Sequence, residues 1–230
     1  GVASLLERET FSPPVAELLE TLHASSSALL SVVNDILDYS KLEAGELQVE
    51  KREFFIRDLL AEIVTAFRPL AEGKGLRLDL EIDPGLPASI VSDRDRIRQI
   101  LFNLASNAIK FTRRGWIALR ARPENEDNII VEVEDTGIGI AEAALPRVFR
   151  PFSQADASTT REYGGTGLGL SMVHSIVMSH GGAIEVNNSL GEGVTFRIYL
   201  PIHVEEKEAS PAPASSKELP IGNERILLVD

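Results

Sequence analysis

Hydrophobic and polar residues alternate in several short stretches of the chain and recur at helical spacing in others. Residues 76–82 alternate apolar and polar side chains, as expected of a strand with one buried face. Residues 93–111 instead carry apolar side chains on one helical stripe: Ile97, Ile100 or Leu101, Leu104 and Ala108. Together the two periodicities predict strands at 47–54, 76–82, 116–122, 128–134, 182–188 and 193–200, and helices at 56–71, 93–111 and 168–180.

The order of these elements mixes strand hairpins with helices. This order predicts an α+β fold, specifically a two-layer α/β sandwich in which helices cover one face of a mixed sheet. The segment Ser92-Asp93-Arg94-Asp95 resembles a capping box and marks the start of one of the helices.

A different helical pattern precedes the α/β region. Residues 1–8 predict the last turns of a helix, which Pro13 and Pro14 end. A longer helix is predicted from about Val15 to Ala44, with a seam at alternating spacings of four and three residues: Leu22, Ser26, Leu29, Val33, Ile36 and Ser40. The seam favours a helical hairpin in a dimer; the alternative is one amphipathic helix lying on the domain that follows.

These patterns divide the chain into four parts. A partial helical hairpin is predicted at 1–46 and the α/β domain at 47–202. Residues 203–223 are charged and then rich in Ser, Pro and Ala, which predicts a flexible linker. Residues 224–230 form an apolar run ending in Asp, and we expect them to be the first strand of a further domain.

Composition narrows the function classes. The chain has 23 Lys and Arg against 35 Asp and Glu, a net charge of −12, so no nucleic-acid partner is expected. Because it has no cysteine, disulfides and thiolate metal sites are excluded. The apolar runs fall short of the ~20 residues that span a bilayer, so we expect a cytoplasmic segment without membrane contact, although the parent protein could be membrane-anchored.

Three polar side chains share one face of the helix at 93–111. Asn103, Asn107 and Lys110 are spaced i, i+4 and i+7, which places them within a narrow arc. An amide oxygen can ligate Mg²⁺ and an ammonium group can bind phosphate, so this face suits a phosphate–Mg²⁺ group. The alternative is an ordinary solvated helix face.

Glycine-rich segments follow two of the predicted elements. The strand at 128–134 leads into Asp135, Gly137 and Gly139, where glycine lets the backbone approach a ligand; the alternative is an Asp-rich turn. Residues 164–171 open a helix, and their backbone N–H groups suit an anion; the alternative is a flexible linker.

Two further segments are less specific. Residues 191–196 fit either a ligand-binding turn or a plain hairpin loop. Phe149 and Phe152 precede a polar stretch at 153–163, which predicts a mobile lid anchored by both rings; the alternative is a disordered loop beside two core aromatics.

In this order, the segments NLASNAIKFT, DTGIGI, FRPF, GGTGLGLS and GEGVTF resemble the N, G1, F, G2 and G3 boxes of sensor histidine kinase catalytic domains. Such domains share a superfamily with gyrase, the heat-shock chaperone ATPases and the mismatch-repair ATPases. The resemblance covers roughly residues 49–201. VVNDILDYSKLEAGELQVE resembles the second dimerisation helix of hybrid kinases, and ILLVD the first strand of a receiver domain.

The resemblance implies ATP and Mg²⁺ as cofactors and assigns a role to each matching residue. Asp135 would accept the adenine amino group, and Asn107 would ligate Mg²⁺. Asn103, Asn107 and Lys110 would form the catalytic group. The remaining ATP contacts would be Gly137, Gly139, Arg161, Tyr163, Gly165, Gly167, Leu168 and Thr195.

The implied activity is that of bacterial two-component signalling: transfer of the ATP γ-phosphate to a histidine on the dimerisation hairpin, then to a receiver aspartate. The implied partners are a second copy, bound through the hairpin, and a receiver domain or response regulator. His23 lacks the acidic residue that follows the family's phosphoacceptor histidine. We therefore expect the phosphoacceptor to precede Gly1 in the parent protein. We also expect this chain alone to be inactive in autophosphorylation. Two alternatives are a nucleotide-binding interaction module and a hydrolytic ATPase; Asn103 disfavours the second, since hydrolytic relatives carry Glu there.

Overall fold

The computed structural model describes residues 49–152 and 167–202, together with residues 18, 19, 22, 26, 29, 33, 37 and 40. The described residues between 52 and 201 form a series of strands and helices. In order these are β1 (Arg52–Phe55), α1 (Ile56–Gly73), β2 (Arg77–Ile82), β3 (Ser89–Ser92), α2 (Arg94–Phe111), β4 (Trp116–Pro123), β5 (Asn128–Asp135), a 3₁₀ helix (Glu142–Arg147), α3 (Gly169–Ser179), β6 (Ala183–Ser189) and β7 (Gly193–Pro201).

Five strands form one mixed sheet in the order β2-β4-β5-β7-β6. β2 pairs with β4 in parallel, and the other neighbours pair antiparallel. β1 and β3 form a separate two-stranded antiparallel ribbon. The predicted mixed sheet is confirmed, whereas β3 was not among the predicted strands.

The core lies between one face of this sheet and the three helices. Alternate residues of the strands supply the sheet side of the core: Ile117, Leu119, Ala121, Ile129, Val131, Val133, Phe196, Ile198 and Leu200. The stripe predicted on α2 is buried, with both Ile100 and Leu101 included. Each fully buried aliphatic side chain stabilises the fold by about 1.5–3 kcal/mol. The α+β two-layer prediction is therefore confirmed.

The opposite face of the sheet carries ion pairs between neighbouring strands, and we call it the charged face. Arg120 Nε lies 2.8 Å from Glu81 on β2, and the same guanidinium bonds Glu134 on β5. Arg197 lies 2.5 Å from Glu132 and 3.6 Å from Glu185. These pairs join all five strands. Their members alternate with the core residues along each strand, so they lie on the face opposite the core.

Helix α2 is fixed at both ends. Asp93 caps its N-terminus by accepting the Arg96 N–H at 3.1 Å, one residue after the Ser92 start that the capping-box pattern indicated, and also accepts the Glu50 N–H at 3.0 Å. At the other end, Lys74 Nζ donates to the Ile109 carbonyl at 2.9 Å. The polar face of α2 is thereby held in one orientation against the sheet.

The described positions between residues 18 and 40 are helical, in agreement with the long helix predicted there. The seam residues among them that are apolar, Leu22, Leu29 and Val33, are exposed. The helical hairpin itself stays a prediction. The linker at 203–223 and the strand at 224–230 lie outside the described residues.

Candidate functional site

A buried carboxylate lies at the end of β5. Asp135 is 8% exposed, and its Oδ1 accepts the Gly137 N–H at 2.8 Å. Burial raises the pKa of Asp135 from 3.8 to about 6, while backbone hydrogen bonds from Gly137 and Val194 act in the opposite direction. A carboxylate can accept several hydrogen bonds, so a buried one suits recognition of a ligand N–H group.

The two glycines after Asp135 are required by the chain's own packing. A Cβ on Gly137 would lie 2.7 Å from the Phe111 carbonyl oxygen. Gly139 has a φ of +70°, and its Cβ would lie 2.7 Å from the Ser189 carbonyl oxygen. Sequence reasoning attributed these glycines to the approach of a ligand; in the structure they let the loop fit between α2 and the turn after β6.

The polar face of α2 points toward the start of α3. Asn103, Asn107 and Lys110 are all half-buried, which disfavours the solvated-face alternative. Asn103 Oδ1 lies 3.2 Å from the position that a Cβ of Gly169 would take. Burial lowers the pKa of Lys110 from its ordinary value. An ammonium group in such surroundings gains most from a nearby anion.

The start of α3 supplies backbone N–H groups to the same region. Gly167 adopts a φ of +71°, and Leu168 is buried directly before the helix begins at Gly169. N–H groups of a first helical turn lack partners within the helix and favour anions. Of the other predicted ATP contacts, Arg161, Tyr163 and Gly165 lie outside the described residues.

The sheet register disfavours a contact between the Thr195 side chain and ATP, the role that the family resemblance implied. Thr195 is the register partner of Glu134 on β5 and of Asn187 on β6. Directly paired residues point to the same side of a sheet, and side chains alternate along a strand. The Thr195 side chain therefore points to the opposite side of the sheet from that of Asp135, whose register partner is Val194.

Phe149 and Phe152 differ in their surroundings. The Phe149 ring packs 5.3 Å from the ring of His174 on α3 and 6.5 Å from that of Phe196 on β7. Phe152 has a φ of +56° and is 66% exposed. These ring contacts support the expected anchoring role of Phe149. The predicted lid at 153–163 lies outside the described residues.

Two site residues were missed at the sequence level. Thr112, which follows α2, is fully buried and acts to lower the pKa of Asp135. Asn188 on β6 bonds the backbone of Ile140 through both atoms of its amide. A signal for Asn188 was present in the alternation of β6, where this polar residue shares the inner face with Ile184 and Val186.

Comparison with known proteins agrees with this arrangement. The profile of the Histidine kinase-, DNA gyrase B-, and HSP90-like ATPase family matches residues 92–204. The solved catalytic domain of histidine kinase ThkA is 30% identical, with a TM-score of 0.56, and the match covers 66% of this chain and 95% of that one. This chain belongs to the histidine kinase-like ATPase family. The resemblance drawn from the sequence boxes is thereby confirmed.

Other members of the family match over more of the chain. The Autoinducer 2 sensor kinase/phosphatase LuxQ of Vibrio cholerae is 44% identical over 92% of this chain and 25% of its own length. Sensor histidine kinase GacS of Pseudomonas protegens is 40% identical over 93% of this chain and 24% of its own length. The crystal structure of full-length ShkA in complex with AMPPNP has a TM-score of 0.75 and 34% identity, over 87% of this chain and 42% of that one. The chain thus spans about a quarter of the length of the curated relatives it matches.

The described part of the chain also bears on membrane contact. Among its helices, none combines the length and the apolar character needed to cross a bilayer.

Proposed function

We propose that this histidine kinase-like ATPase domain is the ATP-binding catalytic part of a two-component sensor histidine kinase. The parent protein would transfer the ATP γ-phosphate to a histidine on its dimerisation hairpin and from there to a receiver aspartate. The observation that carries the proposal is the buried Asp135 carboxylate, held by the Gly137 N–H beside the C-terminal end of α2. Family membership and the names of the relatives support the same activity.

The residues present fit a bound adenine nucleotide. Asp135 would accept the adenine amino group, with Gly137, Gly139 and Val194 framing the base. Backbone N–H groups at Gly167 and Leu168 would bind phosphate oxygens, and Lys110 would add positive charge. By the family resemblance, Arg161, Tyr163 and Gly165 would complete the phosphate contacts.

The residues also fit a magnesium ion that travels with the nucleotide. Among the described residues, no group of three or more His, Cys, Asp or Glu side chains could hold a metal ion. Mg²⁺ commonly binds through one or two protein oxygens, phosphate oxygens and water rather than in a protein cage. Asn107 would supply the amide oxygen, and Asn103 would lie beside it.

The chemistry asked of these side chains is positioning and charge neutralisation. Phosphoryl transfer passes through a loose transition state, to which the bound nucleotide contributes the phosphoryl group. Asn103 carries an amide, which cannot take a proton from water at neutral pH. The site therefore favours transfer to a positioned acceptor over steady hydrolysis.

The proposed partners are a second copy of the chain and a receiver domain or response regulator. The exposed apolar positions Leu22, Leu29 and Val33 lie at coiled-coil spacing and support dimerisation through the hairpin. The proposed location is the cytoplasm, where ATP is available. The proposed organisation keeps the hairpin at 1–46, the catalytic domain at 47–202, the linker at 203–223 and the receiver start at 224–230.

The Asp135→Asn variant tests the base assignment. A charge-assisted hydrogen bond is worth about 1.5–3 kcal/mol, so ATP affinity should fall roughly 10- to 150-fold while the fold is kept. The parent chain should bind GTP poorly, because guanine presents a carbonyl where adenine has its amino group. Titration calorimetry measures both, with Asp127→Asn, an exposed carboxylate in the β4–β5 turn, as the matched control. Equal affinity of the parent for ATP and GTP would overturn the assignment.

A further inference from the structure

Asn188 lies on β6, outside every box that carries the family resemblance, yet it is bonded to the glycine-rich segment after β5. We call residues 136–140 the glycine loop. Asn188 Oδ1 accepts the Ile140 N–H at 2.6 Å, and Asn188 Nδ2 donates to the Ile140 carbonyl at 2.7 Å. A single side-chain amide thus satisfies both backbone groups of the last residue of the loop.

Two more contacts join the glycine loop to the turn at 189–193. The Gly191 N–H donates to the Ile138 carbonyl at 2.9 Å. The backbone of Gly139 passes so close to Ser189 that a Cβ would lie 2.7 Å from the Ser189 carbonyl oxygen. The far half of the loop is therefore attached to the β6–β7 hairpin.

The near half of the loop is attached to other elements. The Gly137 N–H donates to Asp135 at 2.8 Å, and the Ile138 N–H donates to the Phe111 carbonyl at the end of α2 at 3.4 Å. The loop is thus held by hydrogen bonds at both ends, to Asp135 at one end and to Asn188 at the other.

We propose that Asn188 is a positioning residue for the nucleotide base. It acts through Ile140 by holding the glycine loop in the path that frames the base beside Asp135. This inference rests on the proposed function of the site. A primary amide suits the role because it offers one acceptor and one donor at the spacing of a backbone N–H and C=O pair. Loss of the amide leaves both half-buried groups of Ile140 unsatisfied, which favours a rearranged loop.

The test compares Asn188→Ala with Asn187→Ala in the full chain. Asn187 is the preceding residue of the same strand, is exposed and faces the opposite side of the sheet, so it controls for the loss of an amide from β6. Titration calorimetry, well below the melting temperature of each variant, should show about tenfold weaker binding of ADP to Asn188→Ala, the size expected for the net loss of two hydrogen bonds. Asn187→Ala should bind ADP as the parent does.

Inorganic tripolyphosphate separates positioning of the base from general damage. Its affinity should be the same in the parent and in Asn188→Ala, since the proposed phosphate contacts, among them Lys110 on α2 and the N–H groups of Gly167 and Leu168 before α3, are not the groups that Asn188 bonds. A variant that merely unfolds in part would lose both ligands in equal proportion, and that result would overturn the inference. Asn188→Asp keeps the acceptor for the Ile140 N–H and loses the donor, so its ADP affinity should fall between those of the parent and Asn188→Ala.

We call the two hydrogen bonds between Asn188 and Ile140 the clamp. Hydrogen exchange in the absence of nucleotide tests the clamp independently of the proposed function. The amides of residues 138–140 should exchange faster in Asn188→Ala than in the parent, while those of β5 stay protected. Unchanged exchange in the loop would overturn the clamp. If the parent binds no ADP while loop exchange still rises in Asn188→Ala, the proposed function fails and the clamp stands as a structural contact.

Discussion

The Asp135 side chain shows how a single residue can be costly to the fold and useful to the site. Its carboxyl is buried at the end of β5, and burial raises its pKa to about 6. Near neutral pH the group is ionised in surroundings that disfavour charge. A ligand N–H group that pairs with the carboxylate relieves part of that cost.

The raised pKa predicts how stability depends on pH. Because the folded chain binds this proton more tightly than the unfolded chain, the contribution of Asp135 to stability is full below about pH 4 and is lost as pH rises through about 6. The difference between a pKa of 3.8 and one of about 6 sets an upper bound of about 3 kcal/mol. Asp135→Asn keeps an oxygen for the Gly137 N–H but has no charge, so it should be more stable than the parent above pH 6.

Urea unfolding of both proteins from pH 4 to pH 8 measures this effect. The difference between the two curves removes the contribution of all other carboxyl groups, which the proteins share. The parent should lose stability relative to Asp135→Asn between about pH 4 and pH 6. Parallel curves would show that Asp135 does not ionise at a cost.

A second residue-scale prediction concerns the metal. Asn107→Ala should abolish the Mg²⁺-dependent part of ATP affinity and leave the weaker metal-free part, since its amide oxygen is the proposed ligand. Titrations with Mg²⁺ and with a chelator measure the two parts. Ser106→Ala, an exposed neighbour on α2, is the control. The same Mg²⁺ effect in Asn107→Ala and in the parent would rule out Asn107 as the ligand.

Among the residues, the sequence boxes indicated candidates for the site but did not orient every side chain. Asp135 could be predicted because a strand runs directly into it. The side of the sheet that Thr195 faces could not be predicted, because neighbouring residues of a strand face opposite sides and the choice depends on the register between β5 and β7. Asn188 was missed because its partner is a backbone group 48 residues away.

Among the elements, helix α2 carries three of the residues proposed to act at the nucleotide site: Asn103, Asn107 and Lys110. Its N-terminus depends on Asp93, which is 7% exposed and accepts two backbone N–H groups. Glu62 on α1 adds a second tie through Arg94 and Arg98. These three side chains are 39–43% exposed, so solvent screens the ion-pair network and its contribution is smaller than that of the cap.

Asp93→Ala should therefore destabilise the domain by about 1–2 kcal/mol through the lost N-cap. Asp95→Ala is the control, because Asp95 lies in the same helical turn with its side chain 92% exposed, and it should cost less than about 1 kcal/mol. Thermal unfolding measures both. Equal effects would show that the cap is not what fixes the start of α2.

Most elements could be predicted from hydrophobic periodicity because each strand or helix has one face buried in the core. β3 could not, since Ser89–Ser92 is a four-residue strand that alternates for too short a distance to stand out. Its pairing with β1 joins residues far apart in the sequence. Such pairings are fixed by tertiary contacts, which the local pattern does not contain.

At the scale of the whole molecule, autophosphorylation of this chain would require one of its own histidines to accept phosphate. Of its four histidines, His174 packs against Phe149, and His180 Nδ1 lies 2.8 Å from the Ile176 carbonyl at the end of α3. Neither is placed as a nucleophile. His23 and His203 lie outside the described residues, and neither is followed by an acidic residue.

This 230-residue chain by itself should accordingly bind Mg·ATP without acquiring phosphate. Incubation with radiolabelled ATP, followed by an acid and a base wash, distinguishes phosphohistidine, which is acid-labile and base-stable. Adding a helix of roughly 30 residues that bears His followed by an acidic residue should restore labelling and strengthen dimerisation, because a bundle needs apolar partners along its seam. Strong acid-labile label on the chain itself would mean that one of its own histidines accepts phosphate.

Across the charged face, carboxylates and guanidinium groups of adjacent strands already satisfy one another. A protein pressed against this face would strip water from charges of both signs and offer no better partners in exchange. The charged face therefore favours contact with water over contact with another protein. Partner proteins are expected to bind the helical layer, the loop ends or the strand edges instead. In the proposed organisation, a hairpin and a receiver domain should therefore contact the edges or the helices of this domain, and the charged face should remain in contact with water.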